Sequence, residues 1–328
     1  MVDYSTLHEA DAIRDARILL ACVPEIGPIN HRRILAACRA RGAPLHEILR
    51  PGGPFPRWLA DSVSLPAAAG LGRLLQEIPI LRRKLSLLSA SGVHVILDTD
   101  DSYPSSLRDL GAGAPCALFY RGNVDLLGRA LVAVIGACEP APRAVFAARA
   151  ISAQVAADKG VVISGNADGI DRSAHFAVLE SGGASVFVPA CGIACFVHHP
   201  EIRRIADAGN SLIISHAPPF SGWMTRWAFI RNSTVAALSR MVIAVQAEPR
   251  GGTMFTASKA LRMGRAVRAC LYSPPFGECG GNTILISRGA MPIRVCAAHG
   301  RLQMEFTHDI AAIRQSRLQP ALFRPDDI

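Results

Sequence analysis

The chain reads as an α/β protein, a mostly parallel sheet with helices on both faces, preceded by a small all-α domain. Three observations carry that expectation. From about residue 93, short Val- and Ile-rich runs alternate with helical stretches of ten or more residues. Strands that are apolar on both faces and separated by helices belong in a covered parallel sheet. Residues 5–90 lack such runs and space their apolar residues three and four apart, as helices do. Finally, small-residue turns follow apolar runs at Ile135-Gly136-Ala137, Ser164-Gly165-Asn166 and Arg250-Gly251-Gly252. That pattern fits an extended Rossmann-like architecture.

In order along the chain, residues 1–90 form the expected helical domain of the helix-hairpin-helix or SAM-like kind. Ala10–Cys22, Asn30–Arg41 and Leu71–Ala90 are its helices, and Gly92 ends the last of them. Between the first two lies Val23-Pro24-Glu25-Ile26-Gly27-Pro28. It reads either as a hairpin whose amides touch a DNA phosphate or as a plain tight turn. The Pro- and Gly-rich stretch Arg50–Pro56 is a loop.

Residues 91–298 form the sheet domain. Its strands are expected at Val93–Leu97, Ala117–Tyr120, Leu131–Ile135, Val161–Ser164, Ala184–Pro189, Ser211–Ser215, Met241–Gln246, Ala266–Leu271 and Ile293–Cys296. Its helices are expected at Ala141–Asp158, Arg172–Ser181, Pro200–Ala208, Trp227–Leu238, Met254–Met263 and Thr283–Arg288. Residues 299–328 are left as a short tail with one helical pattern.

Bulk properties narrow the function classes. Among 328 residues, 35 Lys and Arg outweigh 26 Asp and Glu, a formal charge of +9. That favours an anionic partner such as nucleic acid. The cations are nearly all arginine, with lysine only at positions 84, 159 and 259. Arginine suits forked phosphate contacts. The nine cysteines are scattered and form no CxxC pair, as expected of free thiols in a reducing cytoplasm. Cys191 and Cys195 with His198 and His199 leave a metal cluster as the alternative. The polar start from Met1 to Asp15 is no signal peptide, and no apolar run reaches membrane-spanning length. The chain is expected to be cytoplasmic. Neither Gly-x-Ser-x-Gly nor a Lys-containing P-loop occurs, which argues against a serine hydrolase and against ATP hydrolysis; no cofactor is expected.

The candidate site lies at the three turns. A strand running into glycines and then a helix brings backbone and unpaired N–H groups close to a phosphate. Gly136, Ser164, Gly165 and Gly169 are the expected cradle. Asp171 either caps the following helix or organises the turn. His175, four residues on, either contacts a phosphate, holds Asp171 or is an internal histidine. Arg231 and Asn232 are read as opening a helix: Arg231 either grips phosphate or is a plain surface arginine, and Asn232 is the expected cap. Gly252, Thr253 and Thr256 offer amides and hydroxyls or form a plain helix start. Trp223, Trp227 and Phe229 interleave with Arg226 and Arg231, either as a base-stacking set or as packing.

Taken together, these segments resemble the DprA/Smf DNA-processing family. Tyr103-Pro104-Ser105-Ser106-Leu107 to Leu110 resembles its YPxxLxxL, and Leu118 to Asn123 its LFxxGN. Ser164 to His175 resembles SGxAxGIDxxAH, Ile230 to Leu238 resembles RNRxIxxLS, Gly251 to Ala257 resembles SGSLITA, and Asn282 to Ala290 resembles NxLIxxGA. The order and spacing hold from about residue 93 to 296.

The resemblance implies a homodimeric single-stranded DNA-binding protein that hands DNA to a RecA-type recombinase in natural transformation, with no catalytic residue. Several positions depart from the pattern. Cys138 stands where the family's VGSR turn has arginine, Ser233 replaces the second arginine of RNR, Gln246 replaces an acid, and His199-Pro200 replaces Tyr-Pro. Each lost arginine removes a charge-assisted contact of about 1.5–3 kcal/mol. Arg143, Arg203, Arg204, Arg226 and Arg250 are the candidate replacements. The alternatives are a nucleotide-binding or nucleotide-sensing protein, or a paralogue with weakened DNA binding.

Overall fold

The computed structural model describes residues 9–51, 53, 55–273, 279–298 and 301–305. The chain forms two compact units. The first comprises residues 1–121, 190–196 and 214–227.

In this first unit, helices α1 (Glu9–Ala21), α2 (Pro28–Ala40), α3 (Leu45–Ile48), α4 (Arg57–Ala60) and α5 (Leu65–Ala90) come before a hairpin of β1 (His94–Leu97) and β2 (Ala117–Gly122). The helical pattern of the sequence is the burial pattern of the structure: Leu19, Leu20, Ile34, Leu59, Leu71 and Ile78 are wholly inside. α5 starts six residues earlier than its pattern suggests because Pro66 occupies the first turn, where its missing N–H costs nothing. Gly92 adopts φ +81 just past the helix end, as expected of a glycine C-terminal stop.

Arginines explain why this unit extends past residue 90. The buried Arg17 pairs with Asp98 and donates to Thr99 at 2.9 Å. Arg14 reaches Asp100 at 2.6 Å. Arg32 donates to the carbonyls of Ala112 and Ala114 at 2.8 and 2.9 Å. The Tyr-Pro segment is packing too: Tyr103 is buried and its hydroxyl donates to the carbonyl of Pro115 at 2.8 Å. In the 23–28 hairpin, Glu25 pairs with Arg73. Gly27 has φ −72, so the turn does not require glycine there for its backbone angles.

The second unit comprises residues 122–189, 197–213 and 228–328. Its strands are β3 (Leu131–Gly136), β4 (Val161–Ser164), β5 (Ala184–Phe187), β6 (Ser211–Ser215), β7 (Met241–Gln246), β8 (Ala266–Ser273), β9 (Met291–Ala298) and β10 (Arg301–Glu305). They run in the order β6-β5-β4-β3-β7-β8-β9-β10, parallel except for the antiparallel β9–β10 pair. The helices are α6 (Pro142–Ala157), α7 (Ile170–Glu180), α8 (Pro200–Arg203), α9 (Thr225–Leu238), α10 (Gly252–Arg262) and α11 (Gly280–Ser287). This is the expected Rossmann-like α/β fold.

In this unit most boundaries shift by up to three residues; the largest differences from expectation are at two elements. α8 stops at Arg203 rather than Ala208. The Asp207 carboxylate takes the amides of Gly209 and Asn210 at 2.7 and 2.9 Å, a local alternative that outcompetes the helix. β10 lies in the segment read as tail, and its pairing with β9 is long-range information a local pattern lacks. The helical pattern expected further on falls outside the described residues.

The topology dictates where a cavity must open. From β3 the chain winds through α6 and α7 toward β4 and β5. From β7 it winds the other way through α10 and α11 toward β8 and β9. Right-handed crossovers then place the two helix pairs on opposite faces. The turns leaving the carboxyl ends of β3 and β7 diverge, and the gap between them is the switch point of the sheet.

Candidate nucleic-acid interface

A cavity of about 380 Å³ opens at that switch point. The loops after β3, β4 and β7 and the sides of α9 and α10 line it. Of the expected site residues, Gly136, Gly165, Asp171, Arg231, Asn232, Arg250, Gly252, Thr253 and Thr256 come together in its wall. The three small-residue turns do converge.

The turn after β4 is self-satisfied. Asp171, on the first turn of α7, sends Oδ2 back to accept from the amide of Gly165 at 3.0 Å and from Ala167 at 3.4 Å. It therefore organises the turn rather than capping the helix, whose N-cap is Gly169. The carboxylate is buried, which pushes its pKa up; the Arg231 guanidinium beside it pulls the other way. Gly165 makes room for Arg231: a Cβ there would fall 0.9 Å from its Nη1 and would displace the guanidinium. At Gly169, φ is +77 and a Cβ would lie 2.4 Å from the carbonyl oxygens of Ala137 and Cys138. Glycine here lets the β4–α7 turn press against the β3–α6 turn.

Arg231, on α9, is the cationic end of the cavity. Its side chain is only 13% exposed. Nη1 approaches Asp171 Oδ2 at 3.4 Å, a long and weak contact, and Nε is buried with no hydrogen-bond partner among the described residues. A guanidinium carries five donors, so most of this one's capacity is unspent inside the protein.

The turn after β7 is held open from behind. Asn282 Oδ1 accepts from the amide of Ala247 at 2.7 Å, while its Nδ2 donates to Val245 and Cys270 carbonyls at 2.9 and 2.8 Å. Gln246 closes the floor, accepting from the Ala141 amide at 2.9 Å. Gly251, with φ +127, then swings the chain into α10, whose start has no side-chain cap. Its first amides are orphan donors at the positive end of the helix dipole. Thr256 is buried, and its hydroxyl donates back to the Gly252 carbonyl at 2.8 Å. It shapes the helix start and is not a free donor.

Other expected site residues lie elsewhere. The Ser164 hydroxyl is buried on the Val134 carbonyl at 2.8 Å. His175 does not reach the cavity. One helical turn beyond Asp171, it is wholly buried, with Nδ1 2.7 Å from Ser185 Oγ and its ring stacked on Phe187. Burial first, then neighbouring cationic groups, hold its pKa down near 3. Arg143 sits over the Tyr272 ring. Arg203 and Arg204 are exposed and outside the cavity wall.

Trp227 is 3% exposed, so it is packing. Phe229 remains exposed, edge-on to Phe255. Cys138 is exposed at the rim; partial burial and then the Asp171 charge push its thiol pKa up. Ser233 donates to the Phe229 carbonyl at 3.2 Å. The two positions that lack the expected arginines therefore contribute no cation. Among the described residues, no cluster of His, Cys, Asp or Glu is arranged to hold a metal ion.

Two wall residues escaped the motif reading: Glu139 and Glu248. Their signal was position alone, a few residues beyond the ends of β3 and β7, where open α/β sheets place ligand contacts.

Fold and cavity define a Rossmann-like protein with an arginine-tipped, glycine-walled site at its switch point. The comparisons narrow this further. Residues 94–299 match the model of the family described as DNA recombination-mediator protein A. The chain belongs to that family, the DprA/Smf proteins.

It is 34% identical to DNA processing protein DprA of Streptococcus pneumoniae over 58% of this chain and 67% of that protein. It is 29% identical to the Bacillus subtilis protein of the same name over 79% and 91%. The solved structure of the pneumococcal protein superposes with a TM-score of 0.66 at 25% identity, covering 85% of this chain and 94% of that one. A structure of DNA processing protein A from Helicobacter pylori, described as showing a unique single-stranded DNA binding mode, gives 0.54 at 25% identity, covering 61% and 90%.

Proposed function

We propose that this chain binds single-stranded DNA through the switch-point cavity and acts as a recombination mediator, delivering the strand to a RecA-type recombinase during DNA uptake. In this reading the protein works in the cytoplasm as a homodimer and needs no cofactor. Among the described residues, no helix is long and apolar enough to cross a membrane.

The observation that carries the reading is Arg231. Its guanidinium is nearly buried in the cavity wall, weakly paired, and has an unmatched Nε. A phosphate is the partner whose geometry fills such a fork. The bare start of α10 adds amides on the same wall, and exposed Arg250 adds a second cation. The overall charge of +9 supplies long-range attraction. The relatives' names and the described binding mode of the H. pylori protein agree with it.

The test is a gel-shift series on oligo-dT over rising salt. Affinity is expected to fall linearly on a log–log plot, with a slope of roughly −0.7 for each phosphate neutralised. No shift at low salt would remove the reading. A nucleotide sensor is the second reading, favoured by a cavity whose 380 Å³ falls within the range of small-molecule sites. Thermal-shift screening against nucleotides, with and without DNA, separates the two.

A further inference from the structure

The cavity wall carries more carboxylate than a site for phosphate alone would want. Asp171 is committed to the turn amides and Arg231. That leaves one cation, Arg250, and two acids, Glu139 and Glu248, as the other charged residues of the wall. All three are exposed, and none makes a hydrogen bond or ion pair with another described residue. β3 and β7 are adjacent parallel strands with Gly136 beside Gln246, so the loops holding Glu139 and Glu248 leave the sheet side by side. Glu139 and Glu248 thus share one wall with Arg231 and the start of α10.

Two such carboxylates near a phosphate cost binding unless the ligand gives them donors. The chemistry of the strand limits where those donors are. Within a DNA strand, the phosphodiester and the deoxyribose carry no N–H or O–H. The bases alone do. Cytosine, adenine and guanine offer exocyclic amino groups, and a carboxylate accepts well from these. Thymine has a single ring N–H set between two carbonyl oxygens, which repel a carboxylate.

We propose that Glu139 and Glu248 make the cavity base-selective: a phosphate docks on Arg231 and the α10 amides, while the neighbouring base presents an amino group to the carboxylates. This rests on the single-strand reading above and adds the class of strand: one bearing amino-substituted bases rather than thymine. The carboxylates act as specificity-determining contacts and also weaken the binding of strands that cannot satisfy them.

The experiment measures binding of the full chain to oligo-dC and oligo-dT of equal length, at neutral pH and fixed salt, for the wild type and for a Glu139→Ala/Glu248→Ala variant. Both side chains are exposed, so the fold is expected to persist, which an unchanged melting temperature verifies. The wild type is expected to bind oligo-dC roughly tenfold more tightly, the size of one good amino–carboxylate contact. In the variant the ratio is expected to fall toward one, chiefly because oligo-dT binds better. Equal wild-type affinities, or a preference that survives in the variant, would overturn the base selectivity while leaving strand binding intact. Failure to bind either oligonucleotide would overturn the single-strand reading and this inference with it.

Discussion

After β4 the chain turns through Gly165 and Gly169; after β7 it turns through Gly251 and Gly252. In sequence the two are alike, small residues between an apolar strand and a helix. In the structure they dispose of their amides differently. The first turns inward: Asp171 takes the Gly165 and Ala167 amides, and the glycines exist so that backbone and Arg231 can approach. The second faces the cavity with an uncapped helix start. A glycine turn thus marks close approach, but only its acidic neighbour shows whether the amides are spent. The β4 turn is a mount for Arg231, and the β7 turn is the surface that supplies donors.

The sharpest way to break this contrast is Gly169→Ala. A Cβ there meets two backbone oxygens at 2.4 Å in a left-handed conformation. A loss of about 3 kcal/mol or more is expected from denaturant melts. Gly251→Ala also suffers a positive φ but meets nothing within 4 Å, so about 1 kcal/mol is expected.

Between these extremes stands Asp171→Asn, which keeps an acceptor for the amides and removes the charge. Burial raises the Asp171 pKa above its unfolded value, so the folded state holds that proton more tightly. The wild type should therefore lose stability relative to Asp171→Asn as pH climbs from the ordinary aspartate pKa through the raised one. A pH series of melting temperatures for both proteins checks the sign. A smaller effect is expected of Cys138→Arg. It places a guanidinium at the exposed rim and should tighten oligo-dT binding by about fivefold in a gel-shift titration, within the range of one partly solvated charge-assisted contact.

Much of the sheet was legible because Val-Val-Ile-Ser and Met-Val-Ile-Ala-Val-Gln carry their own boundaries: an apolar run ended by a small or polar residue. β10 was not legible, since Arg-Leu-Gln-Met-Glu becomes a strand only by pairing with β9. At the site, Arg231 and Asn232 could be read from the Arg-Asn motif, but as the opening and cap of a helix; α9 begins at Thr225, so both lie in its interior and Asn232 caps nothing. His175 could not be placed. Its spacing from Asp171 gave a shared helix face, but the extra turn of rise carries it off to Ser185 and Phe187 on β5. Trp227 was ambiguous because burial decides between stacking and packing, and burial is a tertiary fact. Glu139 and Glu248 carry no motif; only the strand order brings their loops together.

The central claim is that the cavity holds a phosphate on Arg231. Its most direct test is the salt dependence of oligo-dT affinity for the wild type, Arg231→Ala and Arg204→Ala, the last an exposed arginine outside the cavity wall. Arg231→Ala is expected to weaken binding by at least about tenfold and to flatten the log–log salt slope by roughly 0.7, while Arg204→Ala leaves both nearly unchanged. Equal effects of the two substitutions, or wild-type binding by Arg231→Ala, would contradict it.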